Sequence, residues 1–325
     1  MGEAAGGGRA AVLSHGPANH RPANDRTCGT VRAGHRRYDP RVTFSIVARS
    51  ADGRLHGVAV ASKFLAAGAL VPAAEAEIGA VATQAHVNLA YRSQGLALLR
   101  TGVAADDVVA GLVAADAGRD DRQVGVVGAS GDGATWTGPR CHPWAGGQVG
   151  DGWAAQGNIL AGPQVIDAIR DAWLGGAELP FPRRLLAALD AGDRAGGDRR
   201  GRQSAGLLVV QRRGGYAGTG DELVDLRVDD HPDPVTELGR LLDTHTMLFG
   251  KPDPATLRDL AGPLADEVAA LLAAAGYPVG VAGLDGALAS WAGVENLEER
   301  LVVGRIDPIV LEHLRRTAPA GHAGG

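Results

Sequence analysis

The chain has 325 residues, 45% hydrophobic and 21% charged, with a net charge of -5. That length suits one large or two modest domains of ordinary globular composition, and the acidic balance argues against a nucleic-acid binder, which needs a basic face to displace counterions from phosphates. No run approaches the ~20 apolar residues of a bilayer span, so neither nucleic acid nor membrane is expected as a partner.

Residues 1–42 hold seven Arg against Glu3, Asp25 and Asp39, a balance of +4 that leaves -9 on the remainder. They show neither strand nor helix periodicity and lack the apolar core of an export signal. A disordered extension is expected there, and the cytoplasm is the expected compartment. Cys28 and Cys141 fall on opposite sides of that boundary, so no structural disulfide is expected.

The texture changes at Thr43. Residues 43–49 alternate, with Phe44, Ile46 and Ala48 on one face, and the turn Asp52-Gly53 leads to a second β run from Leu55 to Ser62, a hairpin pattern. Ile78 to Ala85 reads as a third strand. Tyr91 to Arg100 and Ala105 to Ala115 carry Leu and Val at helical spacing. A second hairpin follows, Arg122 to Ala129 and Ala134 to Gly138 around Ser130-Gly131-Asp132-Gly133, and Trp153 to Asn158 is a further strand. Pro163 opens a helix with Val165, Ile166, Ile169 and Trp173 on one face, ended by Gly175-Gly176. Pro182 to Asp190 is another helix, which Gly192 is expected to stop. Ser204 to Gln211 and Leu223 to Val228 are strands, and Pro234 to Phe249 a helix.

Hairpins at both ends indicate antiparallel pairing and exclude a βαβ parallel sheet. The fold class expected is α+β, with helices outside sheets over 43–250. Gly250 to Pro254 reads as a linker. A small all-α domain is expected over 255–317, from helical patterns at Leu257 to Ala275, Leu284 to Trp291 and Pro308 to Arg315. Residues 318–325 form a disordered tail by composition.

Common cofactor and metal signatures are missing. Gly215, Gly218 and Gly220 do not open a helix, so a dinucleotide fingerprint fails on context. There is no HExxH and no paired CxxC. No cofactor and no metal are expected. Asp229, Asp230, His231 and Asp233 are read as acidic residues favoured at the start of the helix opened by Pro234. Cys141-His142 is read as a structural Cys beside a residue on the opposite face, and Asp120 with Arg122 as an ion pair at a strand entry.

The run Thr43-Phe44-Ser45-Ile46-Val47-Ala48, followed by Gly57 to Phe64, Gly79 to Ala85, Gly118 to Val127, Gln156 to Gly162, Gly196 to Ala205 and Val228 to Pro234, resembles an uncharacterised bacterial family of Ntn-hydrolase-like proteins, domain of unknown function ten-twenty-eight. The resemblance covers roughly 43–250 in the family's order. It implies the four-layer αββα sandwich of N-terminal-nucleophile hydrolases and no established substrate. The C-terminal stretches Ala265 to Tyr277, Leu284 to Leu288, Trp291 to Gly293 and Ile306 to Pro308 are similar to a small helical module labelled peptidoglycan-binding-like. Its expected job is to pack on the main domain or on a second subunit, which leaves a homo-oligomer open.

In that chemistry a hydroxyl attacks an amide while the same residue's free α-amine takes the proton. An α-amine titrates near ~7.7–8.0 and can do this; a peptide nitrogen cannot. Thr43 is therefore the candidate nucleophile only if residues 1–42 are gone. Family members begin with Met directly before this Thr, so the chain departs from the pattern. The preferred resolution is that Val42 is the true initiator, read from a GUG codon; self-cleavage or retention are the alternatives.

Around Thr43, Lys63 is expected to hold the amine neutral by like-charge repulsion, and the backbone N–H groups at Gln84 and Ala85 to form an oxyanion hole. Asn158, beside Gln156, is expected to bind a substrate amide, with a turn role as the alternative. Arg199, Arg200 and Arg202, on the loop 196–203 before a strand, are expected to take a substrate carboxylate, with Gln203 also substrate-binding and a solvated loop as the alternative. The function expected is hydrolysis of a C–N amide bond in a small, anionic substrate. The alternatives are a non-catalytic ligand-binding or scaffold protein on the same fold, and a cell-wall-associated binding protein led by the C-terminal module.

Overall fold

A computed structural model of the chain describes residues 43–318. The expectations for residues 1–42, including Cys28 and Val42, and for 319–325 lie outside the described residues. β1 (Thr43–Arg49) and β2 (Leu55–Ser62) pair antiparallel, with Phe44 opposite Ala61 and Arg49 opposite His56. Their turn closes because the Asp52 carboxylate accepts from the Ser50 hydroxyl at 2.6 Å and from the Arg54 N–H at 3.1 Å, the side-chain turn chemistry that suits Asp.

A short helix α1 (Ala67–Leu70) leads to β3 (Pro72–Glu75) and β4 (Gly79–Ala85). Helices α2 (Ala90–Arg100) and α3 (Ala105–Ala115) follow, then β5 (Arg122–Gly128) and β6 (Gly133–Thr137). Next come β7 (Gly146–Gly150), β8 (Trp153–Asn158), α4 (Gln164–Gly175) and α5 (Phe181–Arg194). β9 (Ser204–Gln211), β10 (Glu222–Val228) and α6 (Pro234–Phe249) complete the larger region. The strands form a six-stranded sheet, in the order β10-β9-β2-β1-β8-β7, and a four-stranded sheet, β3-β4-β5-β6. Every strand pairing is antiparallel, as the hairpin patterns indicate.

Period-2 alternation sorts each central strand into two faces. On β1, Phe44, Ile46 and Ala48 join one core with Ala59 and Ala61 of β2, Leu207 and Val209 of β9, and the apolar faces of α4, α5 and α6. Val81 of β4 and Val124 and Val126 of β5 join a second core with α2 and α3, through Tyr91, Leu99, Val108 and Leu112. The opposite faces meet each other: Val47, Val58, Val60 and Ala154 of the six-stranded sheet contact Ala80, Ala82 and Val127 of the four-stranded one. Small side chains dominate this last contact, so the two sheets approach closely.

Several expected boundaries shift. α5 runs through Gly192 instead of stopping there. A Cβ at Gly192 would lie 2.7 Å from Ile169 Cγ1, so this glycine permits the close approach of α4 and does not end the helix. β7 has a single apolar residue, Val149, in Gly-Gly-Gln-Val-Gly, which leaves no alternation to read. The C-terminal region is not purely helical: α7 (Gly262–Ala274), α8 (Gly283–Val294) and α9 (Pro308–Thr317) accompany a two-stranded ribbon of β11 (Arg258–Asp259) and β12 (Arg305–Ile306).

That region has its own core of Val268, Leu272, Leu288, Trp291, Leu311 and Leu314, and Met247 and Leu248 of α6 pack against it. Arg300 is the clasp. Its guanidinium donates to the Met247 carbonyl at 2.6 Å and to the Thr246 carbonyl, at the end of α6 where carbonyls run out of helical partners; the Thr246 carbonyl also accepts from the Gly250 N–H. Arg300 also pairs with Asp307 at 2.6 Å, both side chains being almost fully buried, and Asp307 in turn caps α9 by accepting from the Ile309 N–H. Among the described residues, no helix is long and apolar enough to cross a membrane.

His56 sits on the inter-sheet face opposite Arg49 and is fully buried. Among the described residues neither ring nitrogen has a hydrogen-bond partner. Burial, and after it the Arg49 charge, push the imidazole down to about 4 from 6.5. The folded ring is thus neutral while the unfolded one takes a proton near 6.5. Stability should therefore fall as pH drops from 6.5 toward about 4 and level off below, by on the order of 3 kcal/mol. Urea unfolding of His56→Leu across this range should show a flattened slope. An unchanged slope would assign the acid sensitivity to other groups.

Candidate active site

The Thr43 end of the inter-sheet face is polar where the rest is apolar. The register places Thr43 opposite Asn158 and Ser45 opposite Gln156 across β8, and Ser45 opposite Val60 across β2. Gln84 on β4 and Gln123 on β5 are opposite one another on the facing sheet. Thr43, Ser45, Ser62, Gln84, Gln123, Gln156 and Asn158 are all buried, none more than 4% exposed. Burying so many carboxamides is tolerable only if their donors and acceptors are matched.

They are matched by a directed chain. Gln156 Nε2 donates to Ser45 Oγ at 2.7 Å, and Ser45 Oγ donates to Gln84 Oε1 at 2.6 Å. Gln84 Nε2 donates to Gln123 Oε1 at 2.8 Å, and Gln123 Nε2 donates to Thr137 Oγ1 and to the Gly157 carbonyl, each at 2.8 Å. Asn158 Nδ2 reaches the same Gln123 Oε1 at 2.9 Å. Two of these amides converge on the first residue of β1: the Thr43 carbonyl accepts from Gln84 Nε2 at 3.2 Å and from Asn158 Nδ2 at 3.4 Å. The Thr43 hydroxyl lies 3.2 Å from that of Ser62. Gln156 Oε1 is left without a partner among the described residues, and a side chain at Gly125 would collide with it, so glycine is required there.

The chain leaves these strands under backbone strain. Ala85 and Ile159, the residues directly after Gln84 and Asn158, have φ of 61° and 48°. A β-branched residue in the left-handed region is a genuine outlier. Such strain costs on the order of 1–3 kcal/mol and persists where surrounding structure enforces it, often at functional sites. Beyond Ser62, the Ser204 hydroxyl fixes the turn by donating to the Phe64 carbonyl at 2.5 Å and accepting from the Ala67 N–H at 3.0 Å.

A family model described as "Family of unknown function (DUF1028)" matches residues 43–238, more than half of the chain. The chain belongs to the DUF1028 family. A second model, described as "Putative peptidoglycan binding domain", matches residues 248–314. Among solved structures, a crystal structure of the DUF1028 protein SPO2555 from Silicibacter pomeroyi is similar, with a TM-score of 0.57 and 29% identity, covering 70% of this chain and 93% of that one. No curated protein matches.

Within the DUF1028 region the structure gathers Thr43, Gln84 and Asn158 into one network, with Ala85 at its rim. It does not bring Lys63 there. Lys63 lies just beyond the end of β2 and is exposed, and its Nζ donates to the Arg202 carbonyl at 3.1 Å. Arg202 is taken up by Asp193, with Nε 2.8 Å from Oδ2. Gln203 Nε2 donates to Asp230 at 3.1 Å while its backbone N–H holds the Ser62 carbonyl. Arg199 is exposed. Asp198, unread in the sequence, organises the loop: its carboxylate accepts from the Lys63 N–H at 2.6 Å and the Arg200 N–H at 2.8 Å.

Asp120 and Arg122 do not pair. Arg122 binds Asp116 at 2.9 Å, and Asp120 binds Arg140, because the turn at Gly118 folds Asp116 back under β5. The Cys141 thiol contacts the Arg122 carbonyl, and burial pushes it up to about 11. No cluster of three or more His, Cys, Asp or Glu suited to a metal occurs among the described residues.

Gln84→Leu keeps the size of the side chain but strands the Ser45 hydroxyl proton and leaves the Thr43 carbonyl and Gln123 Oε1 with Asn158 Nδ2 as their remaining side-chain donor. The loss should be on the order of 3 kcal/mol, seen as a lower urea midpoint with an unchanged slope. A midpoint within error of the parent would mean that the amide chain is not closed in solution.

Proposed function

We propose that the DUF1028 region is a four-layer αββα sandwich of the N-terminal-nucleophile type and hydrolyses a C–N amide bond in a small anionic substrate, with Thr43 as nucleophile. The observation that carries this reading is the placement of the Thr43 hydroxyl, 3.2 Å from the Ser62 hydroxyl, at the polar end of an otherwise apolar contact between two sheets. The strained strand ends at Ala85 and Ile159 add support.

In the proposed reaction Thr43 Oγ attacks the amide carbon and passes its proton to the free α-amine of Thr43. That proton then goes to the departing amine as the C–N bond breaks, leaving an ester on Thr43. Water, deprotonated by the same amine, hydrolyses the ester and restores the hydroxyl. Gln84 and Asn158 hold the Thr43 carbonyl and so fix the start of β1. Ser62 orients the hydroxyl, and the peptide groups at Gln84-Ala85 are assigned to the oxyanion. Arg199 is the cation left for a substrate carboxylate, because Arg202 is engaged by Asp193. Lys63 drops out, since its ammonium is held on the Arg202 carbonyl. The cytoplasm remains the proposed compartment and a small molecule the proposed partner.

A second reading, a non-catalytic ligand-binding protein on the same fold, is favoured by one observation: Thr43 is only 4% exposed in the full-length chain. The match of residues 248–314 to a model described as peptidoglycan binding leans the same way. The two readings separate cleanly. A chain beginning at Thr43 should release amine from members of a panel of small acidic amides, and the full-length chain should not. Thr43→Val should abolish the release, a loss of at least about a thousandfold. Equal inactivity of both chains across the panel, or turnover untouched by Thr43→Val, leaves the binding reading standing.

A further inference from the structure

The six-stranded sheet ends on β10, which pairs with β9 and with no other strand among the described residues. Its outer edge presents a row of backbone N–H and C=O groups with no strand to meet them. The other edges are better guarded. β3 has only four residues and opens on Pro72, which has no N–H to offer, and β6 and β7 lie against one another. Beside β10 the surface is open on both faces. On the α6 side a cleft of about 800 Å³ is walled by the loop joining β9 to β10, the last turn of α6, and Glu299. On the other side a groove of about 480 Å³ lies between β9, β3 and α2. Glu222 and Asp225 line both, so the strand edge stands as a ridge between them.

The rims of these grooves are apolar. Tyr216 and Phe249 border the larger at 66% and 48% exposure, and Leu89 borders the smaller at 52%. On the strand itself Asp225 and Arg227 point to the same face. Arg227 Nε lies 3.8 Å from Asp225 Oδ1, too far for a hydrogen bond, and both side chains are about half exposed, so the pair is weak. Opposite charges at this spacing on an edge strand have a specific consequence. Under a two-fold axis through Leu226, antiparallel pairing of two copies of β10 sets each Asp225 opposite the other copy's Arg227. Leu226 then meets Leu226, and Val224 meets Val228, so the face packed under α6 continues from one copy into the next. Moving the register by two residues sets Asp225 on Asp225, or Arg227 on Arg227. A one-residue slip turns the buried face of one copy outward. One register alone satisfies both charge and burial.

We propose that β10 is a self-pairing edge through which two copies of this chain form a two-fold dimer, with one sheet continuous across both. Each copy covers the other's free edge. The exposed Tyr216, Phe249 and Leu89 add apolar area beside the strands, which a stable dimer needs: ~1,200 Å² or more in all. The dimer is independent of the chemistry assigned to Thr43.

The test is sedimentation velocity of the full-length chain over a range of concentrations, with the fold monitored by circular dichroism. A dimer in exchange with monomer is expected. Asp225→Arg and Arg227→Asp should each weaken it at least about tenfold, because like charges then face one another. Combined in one chain, the two substitutions exchange the charges and should restore the parent affinity. An equimolar mixture of the two single variants should also dimerise, since at these positions one copy brings only cations and the other only anions. Both side chains are exposed, so the variants keep the fold. A chain that stays monomeric up to about 100 µM, a dimer indifferent to both single substitutions, or a double variant as weak as the singles would overturn the proposal.

Discussion

Two amide groups, from Gln84 and Asn158, hold the carbonyl of Thr43, and much of the molecule serves to keep them there. Gln84 comes from the facing sheet, so its grip on β1 is also a bond between sheets that otherwise touch through small apolar side chains. A contact of Ala and Val alone specifies depth but little register. The carboxamides add direction, because their donors point at fixed acceptors on neighbouring strands of both sheets, and a one-residue slip of any strand would turn its amide toward the helices. The network is thus a device for registering two sheets as well as a polar site. Its single unmatched atom, Gln156 Oε1, marks where it stays open to a further donor.

Element type was largely legible because strands and helices announce themselves by period: Phe44, Ile46 and Ala48 alternate, and Val165, Ile166, Ile169 and Trp173 recur at helical spacing. The site was only partly legible. Ser45 and Gln84 are 39 residues apart and Ser45 and Gln156 111, so nothing local joins them. A usable signal did exist: Gln84, Gln123 and Gln156 are polar residues at inward positions of apolar strands, where burial would be costly without a partner. Lys63 shows the opposite failing. It is next to Ser62 in sequence, but the chain has already left β2 there, and Lys63 turns to the loop of Asp198 and Arg202. The arginines before β9 looked free for a ligand because their partners, Asp193 and Asp198, were unremarkable in the sequence.

The C-terminal region illustrates how a junction escapes sequence reading. Gly250 to Pro254 has linker composition, yet Arg300, 53 residues beyond Met247, returns to close the end of α6 and buries its pair with Asp307. An Arg in a polar stretch gives no hint of such burial; the carbonyls at the helix end and the Asp307 carboxylate explain it. That clasp brings Glu299 beside Phe249 and Lys251 and so makes the wall of a cleft that neither region has alone.

The account stands on Thr43 being a reactive hydroxyl beside its own free amine. The most direct measurement is mass-spectrometric mapping of a chain beginning at Thr43 after treatment with a β-lactone, an electrophile that acylates activated hydroxyls. One added acyl group, located on Thr43 and missing from the full-length chain, is the predicted result. Acylation confined to lysines, or equal labelling of both chains, would contradict it.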